Sequence, residues 1–224
     1  MSVGCIVVAA GRGERLGAGP KAFVVLEGLT LVAWACAGLE AAGVDQVVAV
    51  LPAGRSGAEP AGLPAHVERV AGGQSRQQSV SAGLAALRSD VDVVLVHDAA
   101  RPLAPVSVFA AVIAAVRAGH RAVVPAVPVT DTLRLAHPGP AEVAVHRDRL
   151  VAVQTPQGFD RNTLVRAHTH VPPGSSATDD AGLAEFVGAT VHVVPGHEES
   201  FKITRPLDLL LARAVVSERR WVGP

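Results

Sequence analysis

Short apolar runs alternate along this chain with segments of helical composition, and no other feature constrains the fold as strongly. The apolar runs predict strands at residues 3–9, 46–51, 66–70, 91–96, 122–127 and 190–194. Helical composition predicts helices at residues 31–42, 75–88, 106–118 and 181–187, and from residue 206. Near-continuous apolar strands joined by helical crossovers are typical of a sheet that is buried on both faces. The sequence therefore predicts an α/β fold, with a mostly parallel Rossmann-like sheet covered by helices on both faces.

The composition limits the classes of function that remain open. With 224 residues, of which 49% are hydrophobic, the chain can bury a full core as one domain over residues 1–224. The formal net charge is zero, so a broad basic face for nucleic acid is not expected. No apolar run reaches the roughly 18 residues of a membrane span, and the N-terminus lacks the charged region of a signal peptide. Cys5 and Cys36 lie in apolar segments, which indicates core packing in a reduced, cytoplasmic protein rather than a disulfide framework.

Residues 130–157, called the arm below, interrupt the strand-helix alternation. They offer short alternating strands joined by turns, and no predicted helix covers them. Because an isolated hairpin is marginally stable in water, we expect the arm to pack against another surface, plausibly that of a second subunit.

The loop "AAGRGERLGAGPK", residues 9–21, follows the first strand and combines glycines with cations. It matches neither a dinucleotide fingerprint, whose third glycine is out of register here, nor a P-loop, whose lysine follows a glycine. Gly11 and Gly13 would let backbone N–H groups approach a ligand, while Arg12, Arg15 and Lys21 supply positive charge. A tight turn with solvated arginines would explain the glycines alone. Three cations in one loop favour a cradle for a triphosphate.

Asp98 stands at the end of the fourth predicted strand. A carboxylate there can bind Mg²⁺ through one oxygen while phosphates and waters complete the coordination shell. Capping of the next turn, with Arg101 as an ion-pair partner, is the alternative. We expect the neighbouring His97 to pack or to form hydrogen bonds rather than to bind a ligand.

Two further glycine- or aspartate-rich segments begin predicted helices. In "GGQSRQQSV", residues 72–80, the glycines and Ser79 could contact a nucleobase edge, although a capped helix start is an equally good interpretation. The segment "SSATDDAGL", residues 175–183, predicts a helix N-terminus in which Thr178, Asp179 and Asp180 suit the cap and the helix dipole. We predict no catalytic role for it.

Ligands of parallel α/β sheets bind at the carboxyl ends of the strands. The glycine loop, the segment "HDAARP" and the segment around Gly72 are therefore expected to lie together at that edge of the sheet.

Lysine is rare in this chain. Among 20 basic residues only Lys21 and Lys202 are lysines, and Lys202 is expected to end a strand just before the last helix. A lysine provides a compact point charge that suits a phosphate, so both are candidate phosphate ligands. Chance is the alternative explanation.

Seven segments carry a family resemblance: "AAGRGERLGAGPK", "GGQSRQQSV", "HDAARP", "PVTDT", "TPQGF", "TDDA" and "KITRPLDL". Their order and spacing resemble those of the 2-C-methyl-D-erythritol 4-phosphate cytidylyltransferases, the nucleotidyltransferases of the non-mevalonate isoprenoid pathway. The resemblance spans nearly the entire chain. It implies a nucleotidyltransferase fold with a protruding β-arm, CTP as the nucleotide substrate, Mg²⁺, and a homodimer with shared active sites.

The same resemblance implies roles for individual residues. The implied catalytic residues are Arg15, Lys21 and Lys202. The implied nucleotide-binding residues are Ala9, Ala10, Gly11, Gly13, Gly72, Gly73, Gln74 and Ser79. The implied acceptor-binding residues are Asp98, Ala99, Arg101, Thr132, Arg147 and Lys202, with Thr132 and Arg147 reaching the acceptor from the partner's arm. Asp98 is also the implied magnesium ligand.

Three other interpretations stay open at this point. A cytidylyltransferase for another polyol phosphate, such as ribitol 5-phosphate, would differ mainly in the acceptor pocket. A nucleotide-binding module without catalysis is disfavoured by the presence of Lys21, Asp98 and Lys202 together. A dinucleotide-dependent dehydrogenase is weakest, because the third glycine is out of register.

Overall fold

The computed structural model describes residues 1–11, 19–55, 60–135, 144–172 and 177–220. The strands are β1 (Ser2–Val8), β2 (Val25–Leu26), β3 (Leu29–Thr30), β4 (Gln46–Leu51), β5 (Glu68–Ala71), β6 (Val91–Asp98), β7 (Ala122–Pro128), β8 (Leu133–Arg134), β9 (Ala144–Val145), β10 (Val151–Val153), β11 (Gln157–Asp160) and β12 (Val191–Pro195). The helices are α1 (Leu31–Cys36), α2 (Arg76–Ala86), α3 (Val106–Arg117), α4 (Arg161–His170), α5 (Asp180–Phe186) and α6 (Pro206–Arg220).

One mixed sheet forms the centre of the molecule. The strands β6, β1, β4 and β5 lie side by side and are all parallel. On the other side of β6 come β11 and then β7, with β12 parallel to β7 on its far edge. Strands β10 and β11 lie one after the other along the same edge of β7, and only they run antiparallel to their neighbours. The predicted mostly parallel α/β sheet is confirmed.

Different helices cover the two faces of this sheet. Val7 of β1 lies in a buried cluster with Phe109 of α3. The adjacent Ile6 points to the other face and lies in a second cluster with Val80 of α2 and Leu164 of α4. Because successive side chains of a strand point to opposite faces, this separation shows that β1 is buried on both faces. The prediction of helices on both faces is confirmed.

The two cysteines are core residues. Cys5 and Cys36 are both buried, unpaired and part of the same hydrophobic cluster. Burial raises the pKa of both thiols, and that of Cys36 to about 12. A thiol with a raised pKa stays protonated at neutral pH and is a poor nucleophile, so the predicted packing role is confirmed.

Helix α1 is shorter than predicted. It ends at Cys36 because Ala37 has an extended backbone, with ψ of 136°. The following turns use Gly38 and Gly43, whose φ angles of +76° and +83° favour glycine. The prediction of a helix over residues 31–42 is therefore wrong in its second half.

Two other local predictions need correction. The sequence does not predict α4, which begins where Asp160 accepts a hydrogen bond from Thr163 N at 3.0 Å. Its sequence is polar overall and the residues it buries are Thr163, Leu164 and Ala167, so no apolar run marks it. The strand expected before Lys202 does not form; instead Ile203 N donates to Ala100 O at 2.8 Å.

Only part of the arm stands apart from the main sheet. Strands β8 and β9 form a two-stranded antiparallel hairpin, and residues 136–143 between them lie outside the described part of the chain. Leu133 and Leu135 are 38% and 60% exposed. Strand β10, although within the predicted arm, pairs with β7 in the main sheet. Among the described residues, no helix combines the length and the apolar composition needed to cross a lipid bilayer.

Candidate active site

A cavity of about 870 Å³ opens at the carboxyl ends of the parallel strands. This is where ligands bind in open α/β sheets. The predicted site residues that line it are Ala9, Ala10, Gly11, Lys21, Gly72, Gly73, Gln74, Ser79, Asp98, Ala99 and Lys202. The structure thus brings the two described ends of the glycine loop, the start of α2 and the end of β6 together, as predicted. Gly13 and Arg15 lie outside the described residues.

The wall at Gly72 and Gly73 is built from backbone. A Cβ atom at Gly72 would lie less than 3.0 Å from Ala10 Cβ and 3.3 Å from the backbone O of Leu51. Gly72 N donates to that same Leu51 O at 2.7 Å. No side chain larger than hydrogen fits there without displacing its neighbours. Glycine at position 72 therefore lets the backbone of the cavity wall pack directly against Ala10 and Leu51.

The Ser79 hydroxyl holds this wall in place. Its Oγ donates to Ser75 O at 2.9 Å and accepts from Gly73 N at 3.2 Å. Since a hydroxyl has one proton to donate, Ser79 can offer a base only its remaining acceptor capacity. Gln78 Oε1 accepts from Gln74 N at 2.8 Å, and Ser75 caps α2 through Gln78 N.

Asp98 ends β6 between two cations. Its Oδ2 accepts from Lys202 Nζ at 2.6 Å, and its Oδ1 lies 3.6 Å from a guanidinium nitrogen of Arg76. Burial raises the pKa of Asp98, but the charges of Arg76 and Lys202 outweigh it and lower that pKa to about 2. Asp98 is therefore ionised at neutral pH. Its ion-pair partners are Lys202 and Arg76, in place of the Arg101 considered in the alternative interpretation.

Sequence reasoning missed a buried extension of this site. Arg76 donates to Asp180 Oδ2 at 2.5 Å, and Asp180 Oδ1 lies 3.0 Å from His168 Nε2. Asp180 is fully buried, so it does more than favour the helix dipole. The cap of α5 is Asp179, whose side chain accepts from Gly182 N at 2.9 Å. The only signal was the doubled aspartate, in which one member is sufficient for the cap.

Arg101 and His97 form hydrogen bonds to neighbouring groups and do not face the cavity. The guanidinium of Arg101 donates to the backbone O of Ser200 at 2.6 Å and of Val153 at 3.3 Å, and it does not line the cavity. His97 is buried, with Nε2 3.1 Å from Arg101 O and Nδ1 3.0 Å from Thr155 Oγ1. Burial lowers the pKa of His97 to about 4, so it is neutral at pH 7. The expectation that His97 packs and forms hydrogen bonds is confirmed.

Two predicted acceptor residues lie away from this cavity. Thr132 is exposed next to the hairpin, and Arg147 donates to the backbone O of Thr130 at 2.5 Å. Arg147 lines a different cleft of about 460 Å³ beside β7, β10 and β12. The described part of a single chain does not bring Thr132 and Arg147 to the Asp98 site.

Comparison with known proteins agrees with this geometry. A sequence model of the 2-C-methyl-D-erythritol 4-phosphate cytidylyltransferase family matches residues 3–218. Proteins of that name from Streptomyces avermitilis and Rhodococcus opacus are 51% and 48% identical, over 96% and 95% of this chain and 92% and 94% of theirs. The crystal structure of that enzyme from Thermus thermophilus is similar, with a TM-score of 0.81 and 36% identity over 97% of this chain and all of the other. This chain belongs to the 2-C-methyl-D-erythritol 4-phosphate cytidylyltransferase family.

Proposed function

We propose that this protein transfers the cytidylyl group of CTP to 2-C-methyl-D-erythritol 4-phosphate and releases pyrophosphate. The observation that carries the proposal is the convergence of Lys21 and Lys202, the only lysines of the chain, on one glycine-walled cavity that also contains Asp98. Compact cations suit phosphates, and the backbone wall at Gly72 and Gly73 suits a flat base. The acceptor follows from the family.

The reaction requires two anions to meet. A phosphate oxygen of the acceptor attacks the α-phosphorus of CTP, a new P–O bond forms, and the bond to the bridging oxygen of the β-phosphate breaks. The electron pair of that bond leaves with pyrophosphate. The nucleophile is already ionised, so charge screening and alignment matter more than a general base. Lys21 and Lys202 supply that charge, and Arg15 is proposed to contact the leaving pyrophosphate.

Asp98 fits a divalent cation that is held mainly by the substrate. No group of three His, Cys, Asp or Glu in the described ranges could hold a metal by itself. Lys202 occupies Oδ2 of Asp98, but Oδ1 is 3.6 Å from Arg76, beyond hydrogen-bond range, and retains lone pairs for a cation. When bound with CTP, Mg²⁺ would neutralise phosphate charge at the reacting centre.

We extend the proposal to a homodimer in which each arm completes the acceptor site of its partner. Thr132 and Arg147 lie away from Asp98 in one chain, and the hairpin exposes Leu133 and Leu135. A two-fold contact would cover these leucines and return both polar residues to an active site. The two free, buried cysteines support a reducing, cytoplasmic compartment.

Subunit exchange tests the shared site. Lys21→Ala and Arg147→Ala are each expected to be nearly inactive alone, but a mixed dimer contains one site with both defects and one with neither. An equimolar statistical mixture should recover about a quarter of wild-type activity. Each variant exchanged with itself is the control, and different affinity tags verify that mixed dimers form. A verified mixed dimer that stays inactive would show that each site is built from one chain.

The activity itself is tested by pyrophosphate release from purified protein. CTP with 2-C-methyl-D-erythritol 4-phosphate should react, whereas UTP should react poorly, because cytosine presents an amino donor where uracil has a carbonyl. Ribitol 5-phosphate as acceptor is the second arm of the assay. Faster reaction with it would establish the polyol phosphate alternative, and no release with any pair would establish a binding module without catalysis.

A further inference from the structure

A continuous chain of polar side chains leads from the cavity into the protein interior. It begins at Lys202 and Asp98 in the cavity wall and passes through Arg76 to the buried Asp180. From there it runs through His168 and Ser81, whose side chains are in contact at 3.0 Å. Family membership and the reaction account for its first two members only. The inner members therefore need a separate explanation.

Arg76 occupies the centre of this chain and faces two carboxylates. One terminal nitrogen donates to Asp180 Oδ2 at 2.5 Å, while the other lies 3.6 Å from Asp98 Oδ1. The side chain of Arg76 is 31% exposed, that of Asp98 is 12% exposed and that of Asp180 is inaccessible. A planar guanidinium spans two carboxylates with separate nitrogens in a fixed geometry, whereas an ammonium group must reach both from a single nitrogen.

The inner carboxylate is held rigidly. Asp180 begins α5, and its Oδ1 contacts His168 of α4, whose other ring nitrogen contacts Ser81 of α2. A second contact joins the same helices, because Gln77 Nε2 donates to Val171 O at 2.9 Å. Three helices therefore fix the position of Asp180 and, through it, the guanidinium of Arg76.

We propose that Arg76, held by Asp180, is a positioning residue that orients Asp98 and thereby sets the position of the Lys202 ammonium over the cavity. Asp98 binds a flexible, 42% exposed lysine on one oxygen. The charge of Arg76 lies 3.6 Å from the other oxygen and attracts it without a hydrogen bond, so the lone pairs of Oδ1 stay available to a metal ion. Without that fixed charge, the carboxylate can rotate and the lysine follows it. The proposal rests on the proposed transferase function, in which Lys202 must meet a reacting phosphate.

The competing explanation is that Arg76 only neutralises the buried charge of Asp180. A buried carboxylate without a partner is strongly destabilising, so Arg76→Gln alone would lose stability under either explanation. The double variant Arg76→Gln/Asp180→Asn removes both charges at similar volume. It should fold under either explanation, and only its activity separates them.

The test compares Tm, kcat and KM for both substrates in wild type, Arg76→Gln, Arg76→Lys and the double variant. We expect the double variant to recover most of the Tm lost in Arg76→Gln while kcat stays at least about tenfold below wild type, as misplacement of a reacting group predicts. Arg76→Lys should fold with an intermediate kcat. Arg88→Gln, which removes a surface arginine paired with Asp90, is the matched control and should keep wild-type values.

Two kinetic outcomes would overturn the proposal. Wild-type kcat in the double variant would leave Arg76 as a counter-charge only. A raised KM for CTP with unchanged kcat would make it a nucleotide-binding residue. If the double variant fails to fold, wild-type kinetics in Arg76→Lys would also overturn the proposal, because any single charge would then be sufficient.

A readout without catalysis separates this inference from the proposed function. Because the chain has only two lysines, protein labelled with ¹⁵N at Nζ gives at most two side-chain ammonium signals, and Lys21→Arg assigns them. The Lys202 signal should shift or broaden in the double variant and not in Arg88→Gln. If wild type lacks transferase activity, the proposed function fails while this measurement still decides the inference, and an unchanged Lys202 signal overturns it.

Discussion

Replacing Gly72 with alanine tests whether the nucleotide wall is as close-packed as the structure shows. The added Cβ would lie less than 3.0 Å from Ala10 Cβ, 3.0 Å from Ser79 Oγ and 3.3 Å from Leu51 O. Two of these atoms belong to Ala10 and the backbone of Leu51, which cannot move away by changing rotamer. The wall itself must shift.

The expected cost follows from this crowding. Overpacking of a close-packed site costs about 1–3 kcal/mol, which for a chain of this size lowers Tm by roughly 2–12 °C. The displaced atoms include Ser79 Oγ, which orders Gly73 N, so the base-binding wall moves as well. We expect kcat/KM for CTP to fall by about tenfold to a hundredfold.

Thermal unfolding and steady-state kinetics on Gly72→Ala would measure both effects. Gly54→Ala is the matched control, since a Cβ atom there would meet nothing within 4 Å and the backbone is not left-handed. The control should be as stable as wild type or more so. A Gly72→Ala protein with unchanged Tm and unchanged kcat/KM would refute the close approach of backbone at this wall.

Three further experiments address charge, protonation and metal. Lys21→Ala should lower kcat by about a hundredfold while CTP affinity falls much less, as for loss of one preorganised donor; near-normal kcat would remove Lys21 from the reaction. Unfolded His97 gains a proton near pH 6.5 but the buried folded form only near pH 4, so the free energy of unfolding should fall by about 3 kcal/mol as the pH drops through that window. Denaturant titrations in EDTA should show this fall in the free energy of unfolding in wild type but not in His97→Gln. An equal pH dependence in both proteins would contradict neutral burial of His97. Chelation of divalent cations should abolish transfer and Mg²⁺ should restore it, whereas full activity in excess EDTA would exclude a metal role for Asp98.

The position of the cavity was predictable because the sequence shows where each buried strand ends. Continuous apolar runs specify buried parallel strands, and their carboxyl ends meet at one edge of the sheet, so Gly11, Gly72 and Asp98 were expected together. The hydrogen-bond partners of Ser79 could not be predicted from the sequence. Its hydroxyl faces both a ligand cavity and the backbone of its own helix, and only the three-dimensional structure shows which groups it contacts.

The ion pair between Arg76 and Asp180 could not be predicted from the sequence, for a physical reason. These residues are separated by 104 positions, and each has a sufficient local explanation, since arginine is common on helix surfaces and aspartate suits an N-terminus. Once buried, the two charges need each other as partners, but their burial depends on how α2, α4 and α5 pack. Helix α4 itself is polar overall and contains no apolar run, so the sequence did not mark it as a covering helix.

The break between β10 and β11 links the arm to the active site through a single residue. Thr155 lies in that break, and its Oγ1 accepts from Asp98 N at 3.1 Å and lies 3.0 Å from His97 Nδ1. The chain that leaves the hairpin therefore reaches Asp98 within a few residues of entering the sheet. If the arm is exchanged between relatives, the register of Val151–Val153 on β7 must be kept. A slip of one residue would turn these side chains to the other face of the sheet and move Thr155 away from the backbone of Asp98. In the proposed dimer, changes to the acceptor site should therefore leave Val151–Val153 and Thr155 unchanged.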